Sequence, residues 1–190
     1  KNNNLGNILT YNSYVGQNLN LWRNNKGIKY YSAYKKRGGG VYWDLIHDID
    51  LAFFLLGDFN IIYSVSKKIS NVTYDTDDYC NLIIRYKSKK IFGSIILDML
   101  NPIYNRKISI IMERGSINWD EKSREINLIK LTKNGITKKK YKDKLLRNDI
   151  FVRHAKNFLY SLDNKEALIC DFKNFKKINL KIDKINKSKS

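Results

Sequence analysis

The sequence predicts an α+β fold in which helices pack on one face of an open, mostly antiparallel sheet. A series of short β-rich segments, separated by turn residues, fills residues 61–141 after one apolar helix. Two helical segments follow these strands towards the end of the chain. Strands joined by hairpins form antiparallel pairs, and helices that are segregated from the strands in sequence cover a single face of the sheet.

The first part of the chain predicts a strand, a long loop and a helix. Residues 6–15 alternate loosely and contain β-branched and aromatic residues, which favours a strand. Residues 16–40 form an aromatic segment without periodicity, and long loops of this kind inside compact domains are usually functional. Residues 41–56 are largely apolar and predict a helix that ends at Gly57. A helix this apolar must be packed on most sides, so its polar groups need partners or a cleft.

The remaining elements follow from hydrophobic runs and turn residues. The predicted strands are 61–70, 79–86, 91–100, 106–113, 116–119, 125–132 and 136–141. Asn134-Gly135 is the strongest hairpin signal among the breaks between them. Asn148 or Asp149 is expected to cap the first of the two final helices. With no linker between these segments, we expect one domain over residues 1–190.

Composition is that of a globular protein. At 190 residues, with 43% hydrophobic and 13% aromatic residues, the chain can bury a core without disulfides or metals. No apolar run approaches the roughly 20 residues that span a bilayer. Cys80 and Cys170 lie far apart and outside any Cys/His cluster, which predicts free thiols in a reducing compartment and no metal site. We therefore expect a cytoplasmic protein without a membrane association.

The formal charge of +18 introduces a second functional class, a basic module that binds nucleic acid or another polyanion without catalysis. The lysines are spread along the chain, however, and accompany an excess of Asn, Ile and Tyr. An AT-rich genome produces this combination through codon bias alone. We therefore rank nucleic-acid binding as the alternative, to be recognised by affinity that falls steeply with salt.

Asp44 and His47 are the candidate catalytic pair. Three residues apart on a helix, they share a face, and a carboxylate beside an imidazole fixes its tautomer and raises its basicity. Such a pair suits general acid–base work on a hydroxyl or carbonyl group. The alternative, an aspartate at the start of a helix and a hydrogen-bonded core histidine, stays open at this point.

The loop before the helix provides candidate substrate-binding residues, which combine flat aromatic surfaces with cations. They are Trp22, Arg23, Tyr30, Tyr31, Tyr34, Lys36 and Arg37. Aromatic faces and a guanidinium are typical of sites that bind sugars and phosphates. Arg23, Lys36 and Arg37 are the candidates for an anionic substituent. The alternative for each is a loop anchor or a solvated charge.

Gly39 and Gly40 are weaker candidates for cofactor contacts. They follow Gly38 in a triple-glycine run that could place backbone close to a phosphate. No GK[ST] follows the run, and no GxGxxG occurs in the chain. A tight turn or a close backbone approach is the better explanation of the glycines.

Residues 22–57, WRNNKGIKYYSAYKKRGGGVYWDLIHDIDLAFFLLG, resemble the signature of the Gfo/Idh/MocA oxidoreductases. Members of this family show a Gly-Gly loop, a helix with an Asp and a His, and then an Asp and a terminal Gly. Three later segments are similar in the same order: 69–78, 93–97 and 106–120. Several ordered motifs make the resemblance more specific than any one of them.

The resemblance implies a two-domain enzyme. In the family, a Rossmann domain holds NAD or NADP, and a C-terminal domain like that of dihydrodipicolinate reductase shapes the substrate pocket and forms subunit contacts through its sheet. This chain then corresponds to the substrate-binding half of a homo-oligomeric enzyme that transfers hydride between nicotinamide and a sugar, amino sugar or nucleotide sugar. The family role of proton donor or acceptor carries over to His47. Asp44 stands three residues before it, whereas many members have four.

Two family motifs are absent from the sequence, the Glu-Lys-Pro motif and the Gly-rich cofactor loop. Both belong to the dinucleotide-binding half, and Leu5-Gly6 resembles the start of the second half. We therefore expect that the Rossmann half lies outside this chain and that the chain alone does not turn over substrate.

Overall fold

The computed structural model describes residues 5–87, 90–164 and 172–187. Its strands are β1 Ile8–Gly16, β2 Phe59–Lys67, β3 Tyr79–Tyr86, β4 Phe92–Asp98, β5 Asn105–Met112, β6 Gly115–Asp120, β7 Glu125–Thr132 and β8 Gly135–Lys142. Its helices are α1 Trp22–Asn25, α2 Val41–Asp44, α3 Ile46–Leu56, α4 Arg147–Asn164 and α5 Phe172–Lys187, with four short 3-10 turns between Leu19 and Arg37. The chain divides into two compact units, residues 1–141 and 142–190.

The first unit is built on one eight-stranded sheet, in the order β2-β3-β4-β1-β5-β6-β7-β8. Strand β1 lies in the centre, parallel to β4 and antiparallel to β5. The pairs β2–β3, β3–β4, β5–β6 and β6–β7 are antiparallel. The predicted α+β fold with an open, mostly antiparallel sheet is therefore confirmed.

The two faces of the sheet differ in burial. Tyr11 on β1 is fully buried, as are Ile84 and Ile95 on β3 and β4. The hydroxyl of Tyr86 donates a hydrogen bond of 3.1 Å to the carbonyl of Ala52, which places α3 against this face. The opposite face carries a row of polar residues in register across four strands: Ser94, Asn12, Ser109 and Asn118. The core thus lies between the sheet and α3, and the second face is open.

The predicted helix over residues 41–56 is interrupted in the structure. Leu45 has φ −105° and ψ 19°, which ends α2 and begins α3. The expectation of one continuous helix is therefore wrong at this residue. The break lies between Asp44 and His47, so the two side chains do not share one regular helical face. Gly57 follows α3 with φ 92°, a conformation that favours glycine, as predicted.

The second unit consists of the two helices α4 and α5. The Asp149 carboxylate accepts a hydrogen bond of 2.8 Å from the backbone N–H of Leu146, next to the start of α4. Helix α5 fully buries Ile178 and Ile182. Along α4, large apolar side chains such as Phe158 remain exposed. Among the described residues, no helix combines the length and the apolar character that a membrane span requires.

Candidate functional site

The loop that precedes α2 is fastened to the segment before β3. The backbone N–H of Lys35 donates to Asp75 at 2.7 Å, and the hydroxyl of Thr76 donates to the carbonyl of Ser32 at 3.1 Å. Gly39 packs tightly within the loop, because a Cβ added there would lie 2.3 Å from the carbonyl oxygen of Tyr31. The glycine is therefore required by close backbone approach, as the sequence indicated.

Arg23 lies between two of the predicted aromatic residues. Its guanidinium carbon is 4.4 Å from the ring centroid of Tyr30 and 5.7 Å from that of Tyr31, which are cation–π distances. Arg23 and Asn24 both have left-handed backbone conformations, with φ of 51° and 58°. Non-glycine residues in this region cost free energy and occur often at functional sites. The structure thus brings together Arg23, Tyr30 and Tyr31 on a constrained, exposed loop.

The other loop candidates form a second, smaller group. The guanidinium carbon of Arg37 is 4.7 Å from the ring centroid of Tyr34. Lys36, between them in sequence, is exposed, and Trp22 is half-buried with its indole N–H unpartnered in the described part of the chain. The predicted cations therefore separate into an Arg23 cluster and an Arg37 cluster.

Asp44 binds backbone and loop rather than the imidazole of His47. Its carboxylate accepts hydrogen bonds from the backbone N–H of Gly40 at 3.1 Å and from the hydroxyl of Ser32 at 2.7 Å. The backbone N–H of Gly40, the residue before α2, has no acceptor within the helix, and the Asp44 carboxylate provides one. The predicted pairing of Asp44 with His47 is therefore wrong, because the carboxylate is engaged elsewhere. A catalytic role of Asp44 itself stays a prediction.

The carboxylate beside His47 belongs to Asp48. His47 Nε2 lies 3.2 Å from Asp48 Oδ2, and the imidazole is 52% exposed whereas Asp48 is 1% exposed. Oδ2 accepts no aligned hydrogen bond from the described residues. The second oxygen, Oδ1, accepts a hydrogen bond of 2.9 Å from Nε of Arg106 on β5. An accessible imidazole thus sits next to a buried, charge-compensated carboxylate.

The cation of this cluster has further partners on the sheet. The Arg106 guanidinium lies 3.9 Å from the carboxylate of Glu121 and 5.5 Å from the ring centroid of Trp119. The hydroxyl of Tyr104 donates a short hydrogen bond to Glu121. These contacts hold Arg106 in one orientation from two sides. They join α3, β5 and the end of β6 in one polar network on the otherwise apolar face.

The protonation of the cluster follows from burial. Desolvation of the half-exposed His47 ring lowers the pKa of the imidazole; the Asp48 carboxylate opposes this shift and Arg106 reinforces it. Burial also raises the pKa of the Asp48 carboxyl, against the effect of the Arg106 guanidinium. At neutral pH His47 is therefore mainly neutral and able to accept a proton. That is the state that a general base requires.

The comparison with known families decides the assignment. The sequence profile described as the GFO/IDH/MocA C-terminal domain matches residues 1–118. The chain belongs to this family. No curated protein sequence matches the chain.

Solved structures share the fold of the GFO/IDH/MocA chain. Levoglucosan dehydrogenase in complex with NADH aligns with a TM-score of 0.71 at 16% identity, over 84% of this chain and 50% of that one. UDP-N-acetylglucosamine 3-dehydrogenase GnnA from Acidithiobacillus ferrooxidans aligns with a TM-score of 0.69 at 12% identity, over 92% and 51%. The chain spans about half the length of these structures. At such identities the similarity shows a shared fold.

The GFO/IDH/MocA domain contains site residues that the sequence analysis did not assign. Asp48, Arg106 and Glu121 carried no predicted role. A signal was present in β5, where Arg106 occupies the same face as the buried Ile108 and Met112. A charged residue on an apolar strand face needs a buried partner, and the apolar helix offers three acidic residues, Asp44, Asp48 and Asp50. The alternation of side chains in β5 therefore indicates that Arg106 needs a buried acidic partner, but it does not indicate which acid this is.

Gly39 and Gly40, the predicted cofactor contacts, lie in the tight turn that precedes α2. The space above Gly39 is filled by the backbone of Tyr31 and Ser32, and Gly40 lies at the start of a four-residue helix. Within the described ranges, no group of three His, Cys, Asp or Glu side chains could hold a metal ion. The cofactor role of Gly39 and Gly40 stays a prediction.

We predict that Ser32 and Asp44 stabilise the loop–helix junction jointly. Asp44→Ala is expected to lower the free energy of unfolding by about 1 kcal/mol, because the N–H of Gly40 loses its acceptor. Ser32→Ala removes one of the same hydrogen bonds, so the double variant loses less than the sum of the two single losses. Urea denaturation of the four proteins measures the coupling. Strict additivity would show that the bond between the two side chains contributes nothing.

Proposed function

We propose that this chain is the substrate-binding half of a nicotinamide-dependent oxidoreductase that acts on a hydroxyl or carbonyl group of a sugar. The observation that carries the proposal is the exposed imidazole of His47 beside a buried, compensated carboxylate in a GFO/IDH/MocA domain. An accessible base with a fixed neighbour is the arrangement that proton transfer to or from a substrate oxygen needs.

His47 moves the proton that accompanies hydride transfer. In the oxidation direction, the neutral imidazole accepts the proton of the substrate hydroxyl while the carbinol hydrogen leaves as hydride. In the reduction direction, the imidazolium returns a proton to the carbonyl oxygen. The lowered pKa of His47, caused by burial, favours the accepting state at neutral pH. Asp44 supports this reaction by holding the loop against α2, through Ser32 and Gly40.

NAD or NADP supplies or accepts the hydride when bound. A solved structure of similar fold, levoglucosan dehydrogenase, contains NADH. We assign cofactor binding mainly to a separate dinucleotide-binding half, as membership of the GFO/IDH/MocA family suggests. The chain without that half is expected to be inactive, since it can hold and deprotonate a sugar but has no hydride acceptor.

The substrate class is a sugar, an amino sugar or a nucleotide sugar. The names of two structural relatives specify levoglucosan and UDP-N-acetylglucosamine for those proteins. In this chain the exposed Arg23 between Tyr30 and Tyr31 suits an anionic substituent next to a flat apolar surface. Lys36 and Arg37 add positive charge on the same loop. We therefore propose an anionic sugar, such as a nucleotide sugar.

The alternative of a polyanion-binding module is less well supported. The densest lysine run lies on β8, the last strand of the sheet, where every residue is exposed. Lysines on an edge strand prevent pairing with the edges of other sheets. Lys140 is also paired with Glu125 at 3.0 Å. Charge on this strand is thus accounted for without a polyanionic partner.

We also propose that the chain self-associates through the open face of its sheet. Beside the polar row described above, this face exposes Phe92 and Ile111 in register across β4, β1 and β5. Ser94 donates to Asn12 at 3.0 Å, and Ser109 to Asn118 at 2.7 Å. The polar groups are therefore paired within the chain, and a second copy can cover the face without leaving them unsatisfied.

The first prediction from this proposal concerns His47. In the enzyme assembled with its dinucleotide-binding half, His47→Ala should lower kcat about 10²–10⁴-fold, the usual contribution of a positioned acid–base group. Reduced nicotinamide is followed by absorbance, with UDP-N-acetylglucosamine and levoglucosan as probe substrates. The affinity for NADH should stay unchanged. His154→Ala is the matched control, since His154 is the other histidine of the chain. Near-normal turnover of the His47 variant would end the assignment.

The second prediction separates charged from neutral substrates. Arg23→Gln should raise KM for UDP-N-acetylglucosamine about tenfold to a hundredfold, the value of a hydrogen bond to a charged group, without changing kcat. KM for levoglucosan, which carries no charge, should not change. Arg153→Gln on the exposed α4 serves as a control for the loss of one arginine. Equal effects on both substrates would argue against an anion site at Arg23.

The third prediction concerns the open face. Phe92→Glu should convert an associated protein into monomers, because a buried, unpaired carboxylate is costly at an interface. Sedimentation velocity measures the association state. Phe158→Glu is the matched control, since Phe158 is about as exposed as Phe92, at 53% and 51%, but lies on α4. An unchanged sedimentation coefficient for Phe92→Glu would place the interface elsewhere.

A further inference from the structure

A buried acidic side chain adjoins the exposed ring of His47, and its charge is compensated from a different element. Asp48 is 1% exposed, and one of its oxygens receives a hydrogen bond of 2.9 Å from Arg106. The other oxygen, Oδ2, is buried and lacks an aligned hydrogen bond in the described part of the chain. Nε2 of His47 lies 3.2 Å from that oxygen. A buried carboxylate oxygen in this state requires a partner.

We propose that Asp48 and Arg106 are positioning residues for His47. Held by Arg106, the Asp48 carboxylate favours a proton on Nε2 of the ring, which lies 3.2 Å from Oδ2. This electrostatic preference selects the tautomer in which Nδ1 is unprotonated and available to the substrate hydroxyl. The inference rests on the proposed function of His47 as the proton acceptor. It adds the group that selects which of the two ring nitrogens reacts.

Arg106 makes this arrangement possible on an apolar face. An ionised carboxylate as buried as Asp48 would otherwise take up a proton, and it would then no longer be a full acceptor for the ring. Glu121 lies 3.9 Å from the far side of the guanidinium and itself accepts from Tyr104. These partners keep Arg106 directed at Asp48. A continuous series of contacts thus joins the sheet to the ring. Glu121 contacts Arg106, Arg106 binds Asp48, and Asp48 lies beside His47.

The charged groups around His47 come from three elements. Asp48 and Asp50 belong to α3, Arg106 to β5, and Glu121 follows β6. The three carboxylates favour the protonated ring, whereas Arg106 disfavours it. Asp48 is the nearest of the carboxylates and has the largest effect among them. Burial and Arg106 both lower the pKa of His47. When the charge of Asp48 is removed, these two effects are less opposed and the pKa should fall.

The decisive experiment is a histidine titration of Asp48→Asn by NMR. The chain has two histidines, His47 and His154, so two resonances are assigned by substitution. We expect the pKa of His47 to fall further below its usual value of 6.5 in the variant. Loss of local structure would instead expose the ring and raise its pKa. An unchanged or raised pKa overturns the proposal, since Asp48 would then serve only the fold.

Asp58→Asn is the matched control for this titration. Asp58 follows the same helix, and its carboxylate pairs with the ammonium of Lys87 at 2.6 Å. The substitution removes the same charge from a paired aspartate, whereas the carboxylates that act on the pKa of His47 are Asp48, Glu121 and Asp50. The pKa of His47 should therefore stay at its wild-type value. A fall as large as that in Asp48→Asn would mean that net charge, and not the neighbouring carboxylate, sets the titration.

Turnover provides the second readout. In the assembled enzyme, Asp48→Asn should lower kcat about tenfold to a hundredfold, part of the 10²–10⁴-fold that a positioned base contributes. The acidic limb of the pH profile should move to lower pH with the His47 titration. Should Asp48→Asn fail to fold because Arg106 is left unpaired, the double variant Asp48→Asn/Arg106→Gln contains neither buried charge. Its kcat should fall equally, and a wild-type kcat would refute the positioning role.

The two proposals fail in different ways. If His47→Ala leaves turnover intact, the proposed function is wrong whatever the titration of His47 gives. If His47→Ala abolishes turnover while Asp48→Asn changes neither kcat nor the pKa of His47, only the positioning role is wrong. The titration needs no substrate or cofactor, so its result does not depend on the identity of either.

Discussion

A buried carboxylate on α3 requires a cation from the sheet, and the site is organised around this requirement. Asp48 and Arg106 come from elements that are far apart in sequence, and both reach the apolar face. Removing either partner would leave an unpaired charge in a low-dielectric environment, which typically costs about 3–5 kcal/mol. The ion pair therefore fixes the register between helix and strand. In doing so it sets the position of His47, the residue that precedes Asp48 in the helix.

The polar network around His47 lies on the helix side of the sheet, whereas the open side is the surface for which we propose self-association. On the helix side, charges converge on a single imidazole and leave it accessible. On the open side, serine and asparagine side chains hydrogen-bond to one another across strands and present a neutral surface. The alternation of side chains along each strand separates the two tasks. A substitution on the open face is thus separated by the sheet from the side chain of His47.

The loop of residues 16–40 links the proposed substrate-binding residues to α2, which precedes the helix that carries His47. Ser32 binds Asp44, and the tight turn at Gly39 admits no side chain. Arg23 and its two tyrosines are thereby held on a loop tied to α2 and to the segment before β3. The left-handed backbone at Arg23 and Asn24 is maintained by these surroundings. The strained backbone at Arg23 and Asn24 and the anchored residues Ser32 and Gly39 therefore belong to the same loop.

The sequence by itself determined the fold class, the strands and the residue that carries the proposed chemistry. Hydrophobic period and turn residues depend on local contacts, so they identified the β-rich series and the glycine after α3, whereas His47 followed from its spacing to Asp44 and from the family motif. The break at Leu45 and the true partner of His47 were decided only by tertiary structure. Spacing along a helix suggested Asp44, but its carboxylate satisfies a backbone donor created by that break. Arg106 lies in a strand far along the chain, and no local pattern specifies which buried acid it meets, because that choice depends on how the helix packs against the sheet.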